Sequence, residues 1–344
     1  MKFGPVAVSD AIGGIVAHAI RQTGLTLRKG DRLGEPQIAL LREAGVNTVT
    51  IAQLEPGDVG EDEAALRLAQ AVAGEHVRVD PPFTGRANLF AETAGILLAD
   101  AHPIDRINAR DERITLATLP PMRRVVEGEM IATVKIIPFA VPQDALSQAL
   151  AAAEGFKLAV APFRGMRVGV VSTLLPGLKP ATVTKTLRIL RERLGHSGAT
   201  LGSEREVPHE TQALAEAIGQ VEPDSDLVIV FGASAITDRR DVIPAAIESA
   251  GGAIEQFGMP VDPGNLLLLG KTRSGKTVLG APGCARSPKE NGFDWVLDRL
   301  LADVPVSAED IRRMGAGGLL MEIVSRPQPR GGEAPRPETE NGDD

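Results

Sequence analysis

From residue 166 onward, short apolar runs of strand length alternate with amphipathic stretches of helix length, and that alternation limits the fold more than any other feature of the chain. MRVGVV at 166–171 reads as a strand. Residues 181–194 place Val183, Leu187, Leu190 and Leu194 at helical spacing, with Gly195 as the stop signal. A polar β segment follows at 199–207, then a helix at 210–218. DLVIV at 226–230 reads as a central buried strand, and 242–250 as the next helix. Two β runs, 265–270 and 277–280, precede a terminal helix at 293–301. Strands alternating with helices of this length predict a three-layer α/β/α domain over 166–320, built on a mostly parallel sheet. In such sheets ligands bind beyond the carboxyl ends of the strands.

Residues 1–165 read differently, as a mixed α/β region. A helix is expected at 37–44, with Ile38, Leu41 and Ala44 on one face and Gly45 as the stop, followed by a β run at 46–51. A second helix is expected at 61–73 and a third at 145–153. Residues 113–117 and 130–141 are rich in β-branched side chains. IATVKIIPFAV is nearly continuous, as in a strand buried on both faces, and Pro138 limits its length or sets it at an edge. Residues 326–344 carry four prolines and Ala334 as their one aliphatic residue, so a disordered tail is expected there.

At about 150 residues per domain, a 344-residue chain suggests two domains. Aromatic residues make up 3%, with no Tyr and one Trp, so the core must be aliphatic and stacking on single-stranded nucleic acid is disfavoured. Lys plus Arg is 37 against 45 Asp plus Glu. The net charge of −8 opposes a general attraction to a phosphate backbone and still allows a local basic pocket. A single cysteine, Cys284, excludes an internal disulfide and any multi-cysteine zinc site. His18, His76, His102, His196 and His209 show no metal-ligand spacing. The first residues lack the charged-then-apolar pattern of a secretory leader, and no apolar stretch reaches 18 residues. A cytoplasmic protein with neither nucleic-acid nor membrane partners is expected.

The loudest motif is Gly270–Thr277, GKTRSGKT, which fits the GxxxxGK[ST] phosphate loop and follows an apolar strand. That loop works by opening a helix whose free N–H groups meet the phosphates. Here Gly280, Pro282 and Gly283 follow within a few residues and oppose a helix. A β-hairpin with a polar tip fits better, leaving Lys271 and Lys276 as solvated charges or contacts to an anionic ligand. A nucleotide hydrolase is the lesser alternative.

Quieter signals sit at other strand ends. Gly232–Pro244, GASAITDRRDVIP, follows the central strand; its small residues allow close backbone approach, and Asp241 could equally be an ordinary helix N-cap. Ser172 and Thr173 follow the first strand, where hydroxyls could hold phosphate oxygens or cap the chain. Gly280–Ala285, GAPGCA, reads as a ligand-facing loop or a tight turn. Cys284 within it is a conceivable nucleophile, though a small buried cysteine is the commoner case.

Taken in order, these segments resemble the molybdopterin-binding domain family of molybdenum cofactor biosynthesis. Gly232–Pro244 answers to the family's GGTGxxxRDxTP-like loop; Pro263–Gly270 with Gly280–Ala285 answers to its PGKPxxxG…GLPGNP-like segment. The likeness covers about 166–310, and the opening region is similar to the front domains of the molybdenum-inserting branch. Ala233 and Ala235 stand for glycines and Ser234 for threonine. One extra residue precedes Asp241, His209 stands for an acid, Asn265 for lysine and Cys284 for asparagine. The resemblance implies that molybdopterin, or its adenylylated form, binds at Ser172, Thr173, Gly232, Ala233, Ser234, Pro263, Gly264, Lys271, Gly280, Pro282 and Gly283. Lys271 or Lys276 would close the pocket. It further implies Asp238 and Asp241 as catalytic residues, with Asp241 on a magnesium ion. Adenylyl transfer, molybdenum insertion, or carriage of the cofactor to a nucleotidyltransferase or molybdoenzyme are the activities implied, in a homo-oligomer.

Overall fold

The computed structural model describes residues 1–22 and 24–320. The disordered tail expected at 326–344 lies outside them. Two compact units form among the described residues: the first holds 1–166 with 194–200 and 297–305, and the second holds 167–193, 201–296 and 306–320.

In the first unit, a three-stranded antiparallel sheet joins Lys2–Ala7, Thr48–Gln53 and Ile15–Val16, with Thr48–Gln53 central. The helix expected at 37–44 runs Glu35–Glu43 and buries Ile38 and Leu41. A second core gathers around Glu61–Val72, where Ala64, Ala65, Leu68, Ala69 and Val72 repeat at helical spacing and are all buried. This helix packs on a four-stranded sheet in which Met130–Ile136 lies between Ile114–Thr118 and Arg86–Ala91. The run expected over 130–141 therefore breaks in two. The strand stops before Pro138, which has no N–H for a ladder, and a short strand resumes at Ala140–Pro142.

The second unit carries the alternating pattern. Its elements are β1 (Arg167–Leu174), α1 (Pro180–Gly195), β2 (Thr200–Pro208), α2 (Thr211–Val221), β3 (Leu227–Phe231), α3 (Val242–Ser249), β4 (Ala253–Phe257), β5 (Leu268–Lys271), β6 (Thr277–Ala281), α4 (Gly292–Leu301) and α5 (Ala308–Arg312). The sheet has six strands in the order β2-β1-β3-β6-β5-β4. β1, β3 and β6 are parallel. Backbone bonds from Thr200 to Met166 and from His209 to Leu174 give β2 the same direction. β5 runs against both β6 and β4, so one strand of a mostly parallel sheet is reversed.

Two details depart from expectation. α1 runs through Gly195, and the left-handed glycine is Gly198, at φ +69°. The β run at 265–270 shortens to Leu268–Lys271, because Gly264, Asn265 and Leu267 close a turn through Leu267 N–H to Gly264 and Met259 N–H to Asn265.

DLVIV behaves as a central strand should: every residue of β3 is buried. Val171, Val228 and Val230 face α2 and α3, whose Leu214, Ile218, Ile243 and Ile247 complete an aliphatic core. Val170 and Ser172 point the other way, toward Leu187 of α1. On that side Arg193 of α1 meets Asp294 of α4 at 2.5 Å.

Candidate site at the carboxyl ends of the strands

Strand direction sorts the candidate residues into two groups. Ser172 and Thr173 end β1, Gly232–Asp241 follow β3, Pro263 and Gly264 lie in the loop before β5, and Gly280–Gly283 end β6. All belong to the carboxyl end of the parallel strands. Lys271 and Lys276 do not. β5 is reversed, so its last residue Lys271 pairs with Thr277, the first residue of β6, which is in register with Leu227 at the start of β3. Both lysines therefore sit at the amino end, and neither can close a pocket at the other.

The hairpin reading of 270–277 is what the chain adopts: β5 and β6 are antiparallel and Gly275 turns the tip at φ +88°. The lysines of the phosphate-loop motif are engaged within the fold. Lys271 Nζ donates to Thr277 Oγ1 at 2.8 Å. Lys276 Nζ donates to the carbonyls of Glu222 and Pro223 at 2.9 and 3.3 Å, just past the end of α2. A cation there complements the negative end of the helix. No helix follows Thr277, so the motif lacks the amide cradle that phosphate needs.

At the carboxyl end, hydrogen bonds tie the loops together. Thr173 Oγ1 accepts the Ala233 N–H at 2.8 Å and lies 2.8 Å from His209 Nδ1. With the hydroxyl oxygen taking the amide proton, its own proton is available to the imidazole nitrogen. Thr173 thus fastens the end of β1 to the loop after β3 and to His209, the residue after β2. Ser172 is buried on the opposite face, lining a cavity of about 70 Å³ with Val170, Leu187 and Glu204.

The loop after β3 also folds over the end of β6. A Cβ on Gly280 would come within 2.8 Å of Ile236 Cδ1, and one on Gly232 within 2.7 Å of Ile243 Cδ1. A Cβ on Gly232 would also lie 2.7 Å from the Ser234 carbonyl oxygen, a backbone contact that only glycine permits. Gly283 faces open space, and Pro282 is buried beside it. Pro263 O accepts the Gly292 N–H at 2.8 Å, and the missing Cβ of Gly264 leaves room for Gly292, which would otherwise lie 2.9 Å away.

One residue of this cluster went unremarked in the sequence. Arg286 follows the Gly-Pro turn and reaches back: Nη2 donates to Gly232 O at 2.7 Å and Nη1 to Thr186 Oγ1 at 3.0 Å. Its guanidinium lies 5.6 Å from the centroid of the Phe231 ring. Burial pulls its pKa below the ordinary arginine value. Among the described residues it has no carboxylate in ion-pair reach. A basic residue just beyond a glycine turn at the end of a parallel strand was the only available hint. Arg193 on α1 contrasts with it: besides pairing with Asp294, it donates to the carbonyls of Ala285 and Ser287, holding the 285–289 loop in place.

The aspartates are differently employed from what the resemblance implies. Asp241 caps α3, accepting from Val242 N–H at 2.8 Å and from Thr237 N–H at 3.2 Å. Asp238 is exposed and chelates Arg240, whose side-chain and backbone hydrogen bonds hold its pKa at about 2. His209, in the place of a further acid, is bonded to Thr173. Among the described residues no three His, Cys, Asp or Glu side chains converge as metal ligands. The carboxylate oxygens of Asp241 and Asp238 are engaged by N–H donors of their own loop, an arrangement that does not suit them to a magnesium ion. Burial raises the Cys284 thiol pKa, which opposes the thiolate that a nucleophile requires. Among the described residues no helix is long and apolar enough to cross a membrane.

Residues 170–302 match the family model described as a probable molybdopterin binding domain, and residues 5–53 match a domain of unknown function. No curated protein matches the chain. Among solved structures, a molybdopterin biosynthesis MoeA protein from Pyrococcus horikosii aligns at 16% identity over 88% of this chain and 75% of its own, with a TM-score of 0.31. A molybdenum cofactor biosynthesis protein from Pyrococcus furiosus aligns at 12% identity over 87% of this chain and 61% of its own, with a TM-score of 0.22. NadC from Streptococcus pyogenes aligns at 14% identity over 53% of this chain and 74% of its own, with a TM-score of 0.17. The assignment rests on the family match together with the order of loops from Ser172 to Ala285: the α/β domain of this chain belongs to the molybdopterin-binding domain family of molybdenum cofactor biosynthesis.

Proposed function

We propose that this protein binds molybdopterin at the carboxyl ends of β1, β3 and β6 and acts in the biosynthesis or delivery of the molybdenum cofactor. The observation that carries the reading is the tie of separate loops around one cation: Thr173 to Ala233, and Gly232 to Arg286. Backbone at Ala233–Ser234, and at Gly283, which faces open space, would accept close approach of a flat ligand. Arg286 would face its phosphate. The Pro263–Gly264 loop, braced on Gly292, would support the rim.

Carriage of the cofactor to a molybdoenzyme or a nucleotidyltransferase is favoured over adenylyl transfer or metal insertion. The support is the employment of Asp238 in an ion pair and of Asp241 in a helix cap, which engages both carboxylates within their own loop. Equilibrium dialysis with molybdopterin released from a molybdoenzyme tests the binding; saturable uptake is expected, and its absence overturns the proposal. Incubation with magnesium, nucleotide and molybdate tests the role. No adenylylated product is expected, and robust turnover overturns the carrier reading.

A further inference from the structure

We infer that this domain grips its phosphorylated ligand without a divalent cation, the positive charge coming from the guanidinium of Arg286. The inference rests on the molybdopterin reading above and concerns how that ligand is held. A phosphate brought out of water needs positive charge beside it. A metal ion held by carboxylates can supply that charge; a guanidinium supplies it covalently and offers paired N–H groups matched to phosphate oxygens.

The side chains here are arranged for the second solution. The two aspartates of the loop after β3 are committed, Asp241 to two backbone N–H groups at the α3 cap and Asp238 to Arg240. His209 stands where a further acid could have been and is bonded to Thr173. Arg286 has the opposite character. Its partners are neutral, a carbonyl, a hydroxyl and an aromatic face, and they fix its direction without cancelling its charge. A half-buried cation with no counter-charge among the described residues is unfavourable in the empty protein and becomes favourable once an anion arrives. Arg193, which braces the neighbouring loop through the carbonyls of Ala285 and Ser287, is by contrast given a carboxylate, Asp294.

The test measures binding of molybdopterin, and of its dephosphorylated form, to the full chain by equilibrium dialysis in EDTA and in magnesium. The affinity for molybdopterin is expected to differ by less than about twofold between the two buffers. Arg286→Gln should cost at least about tenfold for molybdopterin, the size of a lost hydrogen bond to a charged group, while leaving the dephosphorylated form nearly unchanged. Arg286→Lys should recover part of the loss. Lys276→Met, at the other end of the sheet, should have no effect on either ligand. Because the comparison is between two ligands on one variant, a general loosening of the fold cannot imitate the result. Binding that requires magnesium, or an Arg286→Gln variant that still prefers the phosphorylated form, overturns the inference while leaving the ligand intact. No saturable binding in either buffer overturns the molybdopterin reading itself.

Discussion

At the amino end of β6, Lys276 looks like the lysine of a phosphate-binding loop and is satisfied by two carbonyls next to α2. At the carboxyl end of the same strand, Arg286 belongs to no motif and, among the described residues, has neutral partners alone. The two cations are separated by a short strand and a turn, yet their settings differ in the quantity that matters for a ligand. The lysine's charge is already matched by the negative end of a helix, and Ser274 at the hairpin tip is further bonded to the Glu222 carboxylate. The arginine's charge meets no carboxylate among the described residues. The contrast teaches that a spacing of glycines and lysine describes a phosphate site only when a helix N-terminus follows it. An unmatched cation at the carboxyl ends of parallel strands is the stronger indication.

The largest expected effect sharpens that contrast directly. Arg286→Gln is expected to weaken molybdopterin binding by about 1.5–3 kcal/mol. The stability of the unliganded protein should move by less than about 1 kcal/mol, because the loss of two hydrogen bonds is offset by removal of an unpaired buried charge. Dialysis and urea unfolding on the same preparation check the two halves. Next comes Thr173→Val, which removes the acceptor of the Ala233 N–H and the partner of His209. Leaving that amide without a partner should cost about 1–3 kcal/mol of stability, and ligand affinity should fall with it. If unfolding is unchanged, Thr173 is not the fastening between these loops.

Smaller effects probe the aspartates and the hairpin. Asp241→Ala should cost about 1 kcal/mol by removing the α3 cap, and Asp241→Ser should restore most of it, since a hydroxyl also caps. Thermal unfolding distinguishes this from a ligand role, in which serine would fail. Lys276→Met should lower stability by about 1 kcal/mol or less, through lost carbonyl hydrogen bonds, with ligand binding untouched. Any nucleotide hydrolysis that disappears with Lys276 would reverse the ranking of the two ends. The smallest effect belongs to Asp238→Asn. The folded-state pKa of about 2 lies below the ordinary 3.8, so the Asp238–Arg240 pair stabilises the protein above about pH 3.8 and its contribution is lost as the pH falls toward 2. The exposed pair should leave only a slight change in the acid limb of the unfolding profile, and none at neutral pH.

Much of the architecture was legible because it depends on local chemistry. The burial of β3 follows from DLVIV, and the break at Pro138 from a missing N–H. The hairpin over 270–277 follows from Gly280 and Pro282, which forbid the helix that the motif would otherwise require. β4 was missed because AIEQF alternates weakly and lies at the sheet edge, where burial leaves little signature. Its presence, with the reversal of β5, sends Lys271 and Lys276 to the wrong end of the sheet.

The sequence by itself determined the α/β class, the aliphatic core and the order in which loops arrive at the strand ends, since each is encoded in spacing, composition and turn residues within a few positions of one another. Tertiary structure alone decided which charges are matched. Asp241 could have faced a ligand and instead caps α3, while Arg286 bonds Gly232 across 54 residues of chain and Thr186 across 100. Whether a charged group finds a partner depends on residues far away in sequence, and the energy of an ion in a protein is set by what surrounds it rather than by its neighbours along the chain.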